Sequence, residues 1–458
     1  MNTEIIFHKG TKGSGVVIEL IYDHARVLFD FGAPFEPLAQ IYDGKLNKRL
    51  RSRVKDALLL EQIPYIDGVF PASDIADIDL ISAEDSQYDT LVLISHLHLD
   101  HMSGIDLIHP DIPVYMHFNA YKLQKCLEEI GESVHYRDYS YFEYEQMLTI
   151  GQIEIIPFFS DHPCYGSSGF LIKTPTSTVF YSGDIRFHGL QSKRAFDELT
   201  KISKTPIDLL IIDGTTYSNQ EFTYDADQTL LSVPSKKLLD HCLSENDIYR
   251  QLKDELSKTT ALGVFNIYHR DLQLITALIK MAKSTKREIV FEPKTAYLVH
   301  ELLAIRPKVI DLENNTLVLD QRSYDFVDKQ AIIDHPEHYL IQNSYVNILE
   351  LIDYRHISGI YFHLFGEPFV SATKEYKIMT NVIANLAWRF VSYTNLYAFN
   401  HAYPNHLAYM IAKLNAKTVV AVHSRSPEKM NPVHSKQIFP IEKITYLLVN
   451  GDLIEKAS

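Results

Sequence analysis

Ser95-His96-Leu97-His98-Leu99-Asp100-His101 packs three imidazoles and one carboxylate into six consecutive positions, directly after the apolar run at 91–95. A short apolar run of this kind reads as a buried strand, and a strand delivers the residues that follow it to a strand-end site. Extended backbone puts alternate side chains on one face. His96, His98 and Asp100 are therefore expected to converge, with His101 swinging in from the following turn. Nitrogen and oxygen donors at this density suit two borderline divalent metals such as zinc. The competing reading is a polar loop of structural histidines, or a single structural zinc, and the spacing disfavours it.

Outward from this run, short strands are expected at 15–20 and 26–30 before it and at 153–158, 169–173 and 178–181 after it. A helix is expected over 117–130, ended by Gly131. Polar residues again stand at strand ends: Asp30 in Phe29-Asp30-Phe31-Gly32, His162 in Asp161-His162-Pro163-Cys164-Tyr165-Gly166, and Asp184 in Tyr181-Ser182-Gly183-Asp184. Taken singly, Asp30 could cap a turn and His162 could be a surface histidine. From the apolar strand at 207–213 onward, helices at 246–258, 272–283 and 295–303 alternate with strands at 264–267 and 288–291. That alternation argues for a parallel sheet layered by helices, a second α/β unit. Strands at 395–399 and 418–422 flank a helix opened by Pro404, since proline is favoured at the first helical position. The stretch 46–60, basic and then apolar, and the Gly-, Pro- and Asp-containing stretch 67–79 read as a helix or loop insertion.

Composition narrows the function classes. Lys plus Arg number 44 against 58 Asp plus Glu, a formal charge of −14, which excludes a protein that coats nucleic acid with an overall basic surface. A local basic groove stays open. The three cysteines, Cys126, Cys164 and Cys242, are far apart and odd in number, so neither a disulfide framework nor a thiolate metal site is indicated and a reducing compartment fits best. The N-terminus lacks a basic segment followed by an apolar one, and nowhere do 18 apolar residues run without a charge. A soluble, cytoplasmic protein with no membrane partner is expected.

The HxHxDH run resembles the signature of the metallo-β-lactamase superfamily, and the other family motifs have counterparts in order. Asp30 resembles the first-motif carboxylate that orients the metal loop, His162 the third-motif histidine, and Asp184 the metal-bridging aspartate. Well over half of the chain still follows Asp184. There, Asp213 before Gly214-Thr215 resembles motif A of the β-CASP nucleases, His401 in Asn400-His401-Ala402-Tyr403-Pro404 resembles motif B, and His423 in Ala421-Val422-His423-Ser424 resembles motif C. His269-Arg270 is similar to a His-Arg pair found inside β-CASP domains. The resemblance spans nearly the whole chain and is to the group that includes ribonuclease J and the cleavage and polyadenylation endonuclease.

It implies an α/β fold: an αββα metallo-β-lactamase sandwich, with residues 1–212 as its first part and 395–458 as its return segment, around an inserted β-CASP domain at 213–394 built on a parallel sheet. It implies two zinc ions, or manganese, one held by His96, His98 and His162, the other by Asp100, His101 and His423, with Asp184 between them. It further implies a ribonuclease that hydrolyses phosphodiester bonds of single-stranded RNA with a two-metal-activated hydroxide. Asp100 and Asp184 count as catalytic in this scheme, His401 as the proton donor to the leaving oxygen, and Asp213 and Asp30 as carboxylates behind the histidines. Tyr403, Asn405 and Arg270 are candidate substrate contacts. Motif B commonly carries a serine where Tyr403 stands, motif A a serine where Gly214 stands, and motif C a following glycine that is missing here. These departures bear on substrate. With so short a stretch after His423, the extra C-terminal domain of ribonuclease J is expected to be absent.

Lys45, Lys48, Arg49, Arg51, Arg53 and Lys55 form a basic run that is either an RNA surface or an ordinary solvated helix face. The histidine at motif C favours RNA, because DNA-processing relatives tend to carry valine there. The alternatives are a hydrolase of a small phosphoester, nucleotide or thioester, and a partner-dependent or non-catalytic RNA-processing subunit, which eroded ligands would betray. A homodimer is left open.

Overall fold

The computed structural model describes residues 1–35, 46–133, 137–217, 234–238, 242–393 and 400–457. The chain forms two compact units, one of Met1–Tyr121, Val134–Cys242 and Ala398–Ser458, the other of Lys122–Ser133 and Leu243–Tyr397. Both mix helices and strands.

Among the described residues, the first unit holds two sheets. One has eight strands in the order Asp452–Glu455, Thr445–Val449, Thr3–Lys9, Val17–Tyr22, Ala25–Phe29, Asp89–Leu93, Val114–His117 and Ser140–Phe142. The other has seven, in the order Lys436–Gln437, Thr418–Val422, Leu209–Asp213, Thr178–Tyr181, Ser168–Lys173, Ile153–Phe159 and Leu148–Ile150. Phe7, Val27 and Leu93 of the first sheet share a core with Phe170, Ile172, Leu209, Ile211 and Val420 of the second, so the sheets pack face to face. The opposite face of the second sheet carries Leu210 and Ile212 against the helices Ser192–Ile202 and Pro404–Leu414. Leu209-Leu210-Ile211-Ile212 is apolar at every position because this strand is covered on both faces.

The second unit is built on a seven-stranded sheet in the order Asp325–Val327, Lys308–Ile310, Glu288–Phe291, Tyr339–Gln342, Leu262–Ile267, Gly359–Leu364 and Arg389–Ser392. Every pairing in it is parallel. Local sequence sets the helix starts. Ser244 and Asp247 form a capping box before Glu245–Ser257, Asp271 caps Leu272–Ser284, and Pro293 opens Pro293–Leu303. Val264, Val290, Ile341 and Tyr361 form the apolar centre.

One expectation needs correcting. The strand before the histidine run ends at Leu93, and Leu99–Met102 is a short helical turn, not extended backbone. Asp100 therefore turns away from His96 and His98. The strand expected at 395–399 lies outside the described residues. In the 46–60 stretch a helix forms at Arg53–Leu59, while 67–79 holds a 3-10 turn at Ala72–Asp74.

Candidate metal centre

Strand ends of the two sheets in the first unit deliver the polar residues. Asp30 follows Ala25–Phe29, Ser95 and His96 follow Asp89–Leu93, His162 follows Ile153–Phe159, and Asp184 follows Thr178–Tyr181. Asp213 ends Leu209–Asp213, which pairs in parallel with Thr418–Val422 so that Asp213 lies opposite Val422 and His423 comes next. His401 and Pro404 lead into the helix that covers the second sheet.

Ligand atoms of His96, His98, His162 and Asp184 lie within 4.8 Å of one another, and so do those of Asp100, His101 and His423. Asp184 reaches both groups. Its Oδ2 is 3.6 Å from His96 Nε2 and 3.7 Å from His162 Nε2, and its Oδ1 is 3.3 Å from His101 Nε2. Asp184, Asp213 and His401 form a third cluster, with His401 Nδ1 2.8 Å from Asp213 Oδ2 and 3.9 Å from Asp184 Oδ2.

The hydrogen bonds around these rings share one sense. Ser95 Oγ donates to Asp30 Oδ2 (2.8 Å) and so accepts from His96 Nδ1 (3.0 Å). His101 Nδ1 donates to Asp30 Oδ2 (2.8 Å), and His162 Nδ1 donates to the Asn400 carbonyl (2.9 Å). His423 Nδ1 meets Thr215 Oγ1 at 2.6 Å. Each ring thus spends its Nδ1 hydrogen outward and turns its Nε2 inward. The Nε2 atom of His96 is buried without a hydrogen-bond partner, which would cost about 1–3 kcal/mol if nothing satisfied it. His98 Nδ1 faces His162 Nε2 at 3.0 Å, where either one ring donates to the other or both lone pairs point at a cation. The donor set fits divalent metal, and the outer partners are of the kind that fix a ligand's tautomer.

Charge follows geometry. Burial and the surrounding imidazoles hold His96 and His162 well below the ordinary histidine range, so both rings are neutral. Burial opposes a charge on His101, but Asp184 and Asp30 on either side hold its pKa well above that range. Burial likewise opposes His423, yet Asp184 and the hydrogen bond to Asp100 (2.7 Å) lift it to about 9. Against burial, the same hydrogen bond brings Asp100 down to about 2. His401 is raised as well, burial being outweighed by Asp213 and Asp184.

Four further residues escaped the reading of the sequence. Asp161 and Arg186, both fully buried, pair at 3.3 Å, and Arg186 N donates to the Asp161 carbonyl, which locks the turn carrying Asp184 against the one carrying His162. Burial holds the Asp161 carboxyl above its usual range despite Arg186. Tyr181 donates to Asp30 (2.6 Å), completing the acceptor load that Ser95 and His101 begin. Asp161, Tyr181 and Ser95 all stand inside the quoted motifs, but only the third dimension shows what they touch.

The weaker candidates separate. Tyr403 is buried with its ring 4.5 Å from that of His188. Asn405 is buried too, and its amide donates to the carbonyls of Ser235 and Lys237. Arg270 belongs to the second unit, where the neighbouring His269 is bound to Glu132 (2.7 Å). In the basic run, Arg49 pairs with Asp56, Arg53 with Asp106 and Lys55 with Asp77, so acids offset the charge of these three. Lys45 lies outside the described residues.

Residues 82–240 match the family model of the beta-lactamase superfamily domain. A crystallised protein of unknown function from Enterococcus faecalis V583 is similar over 98% of this chain and 100% of its own, at 23% identity and a TM-score of 0.78, and shares the fold. The metallo-beta-lactamase fold protein YhfI from Bacillus subtilis is similar at 17% identity and a TM-score of 0.28, over 46% of this chain and 72% of that one. No curated protein matches the chain.

Proposed function

We propose that this protein is a metal-dependent hydrolase of phosphodiester bonds, with single-stranded RNA as substrate. The observation that carries the reading is the common sense of the histidines: His96, His101, His162 and His423 each anchor Nδ1 outward and present Nε2 to the space around Asp184. In this reading His96, His98 and His162 hold one cation, Asp100, His101 and His423 a second, and Asp184 lies between. Zinc or manganese bound there supplies Lewis acidity and lowers the pKa of water.

The chain's own groups do the rest. Asp213 fixes the His401 tautomer by accepting from Nδ1, and its carboxylate together with Asp184 keeps the ring protonated toward neutral pH. His401 therefore holds a proton at Nε2 that it can give to a leaving oxygen. Asp30 holds His101 and the backbone of Ser95 at once, so the two ends of the histidine run stay in register. RNA is preferred over DNA on the similarity of His423 to the motif C histidine.

A second reading, hydrolysis of a small phosphoester or nucleotide, is favoured by Tyr403. A serine hydroxyl stands there in the nucleases, and a buried ring replaces it.

The test uses metal-loaded wild type, His401→Ala and Asp213→Asn with end-labelled single-stranded RNA, the matching DNA and a chromogenic phosphodiester. General acid assistance is worth about 10²–10⁴ in rate. RNA turnover is expected to fall by that factor in His401→Ala with the metal content unchanged. Turnover of the small diester alone would move the assignment to the second reading, and no turnover of any of the three would defeat both.

A further inference from the structure

We propose that Thr215 is a positioning residue through which Asp213 orients a second histidine, the metal-ligating His423, as well as His401. The inference rests on the reading of His423 as a metal ligand. Asp213 is buried and surrounded by donors: Oδ1 takes the Thr215 amide (2.9 Å) and the Thr215 hydroxyl (2.6 Å), and Oδ2 takes the Ile185 amide (3.2 Å) and His401 Nδ1 (2.8 Å). An ionised carboxylate only accepts, so the Thr215 hydrogen points at Asp213. The hydroxyl's lone pairs then face His423 Nδ1 at 2.6 Å, and that nitrogen must carry the hydrogen. His423 is left with Nε2 directed at Asp100, 2.7 Å away, on the side of the candidate ligands.

Local structure explains why a threonine at this position can do this. The Asp213 side chain bonds the amide two residues on, a tight Asx turn that brings the Thr215 hydroxyl back toward its own carboxylate. Gly214 permits the turn to sit against the neighbouring strand end, because a β-carbon there would lie 2.9 Å from Ser424 Cβ and 3.2 Å from Ala421 Cβ. The family serine at 214 has no room, and the neighbouring Thr215 supplies the hydroxyl that His423 needs. His423 itself is held in the left-handed region (φ 60°), its amide donating to the Gly10 carbonyl, so a wrong ring tautomer cannot be relieved by a small backbone shift.

The experiment is a competition titration of zinc against a chromophoric chelator, with circular dichroism as a check on folding, on wild type, Thr215→Val, Thr215→Ser and His423→Ala. Loss of a partner behind a metal-bound histidine typically weakens metal affinity about 10- to 100-fold. Thr215→Val, which keeps the shape and removes the hydroxyl, is expected to weaken one of two zinc sites by that factor and leave the other unchanged. Thr215→Ser should restore wild-type affinity, and Thr215→Val added to His423→Ala should change nothing further. Two unchanged sites in Thr215→Val, equal weakening of both, or a serine variant as weak as the valine one would overturn the proposal. Wild-type protein that binds fewer than two zinc ions would instead overturn the metal-centre reading beneath it.

Discussion

At the residue scale, the centre is a set of proton-bearing groups whose states are coupled. His423 and Asp100 share one hydrogen bond, and the pKa of His423 stands at about 9 against the ordinary 6.5. A raised folded-state value means that the proton stabilises the metal-free fold, fully below pH 6.5 and progressively less as the pH climbs through about 9. The difference in thermal midpoint between metal-free wild type and His423→Gln should therefore be largest below pH 6.5 and shrink toward pH 9. A difference that grows over that window contradicts the pairing. Because Asp100, drawn down to about 2, belongs to the same bond, its own contribution is present above 3.8, fades as the pH falls through about 2, and is not a separate gain. Metal uptake near neutral pH should release protons from His423 and His101 but none from His96 and His162, a difference that calorimetry in buffers of unequal ionisation enthalpy would reveal.

At the element scale, the site hangs on how strand ends meet. Many strand and helix positions were legible in the sequence: Thr178–Tyr181, Glu288–Phe291 and Thr418–Val422 coincide with the ranges expected from apolar runs, and Pro404 does open its helix. The turn at Leu99–Met102 was not legible, because what bends it is distant in sequence. The Phe31 amide bonds the His101 carbonyl, the Val16 amide bonds the Asp100 carbonyl, and Gly32 lies flat against that same peptide. A β-carbon at Gly32 would sit 1.8 Å from the Asp100 carbonyl oxygen. Overpacking usually costs about 1–3 kcal/mol, and this contact is with backbone that cannot rotate away. Gly32→Ala should lower the thermal midpoint by several degrees and weaken the metal site at Asp100, His101 and His423, as read by melting and zinc titration. An alanine variant with wild-type melting and two tight sites would show that the turn is not held as described. Likewise, no local pattern could pair Thr215 with His423, since 208 residues separate them.

At the scale of the whole molecule, each unit has its own core, and the described residues of the centre come from the first. No helix among the described residues is long and apolar enough to cross a membrane. The histidine run, Asp30, His162, Asp184, Asp213 and His423 could be picked out in the sequence because each follows or ends an apolar strand, and His401 because it stands just before the helix that Pro404 opens. Arg270 was singled out on a two-residue match and lies in the second unit. If metal binds the folded state alone, saturation at 100 times the dissociation constant adds about 2.7 kcal/mol of stability, so chelation should lower the melting temperature and zinc should restore it. The most direct single measurement is the fate of end-labelled single-stranded RNA with metal-loaded, chelator-stripped and metal-restored wild-type protein, the metal content of each being determined. A cleavage ladder that vanishes on stripping and returns with zinc or manganese is the predicted result. Intact RNA in the presence of protein carrying two metal ions would contradict the assignment as a ribonuclease.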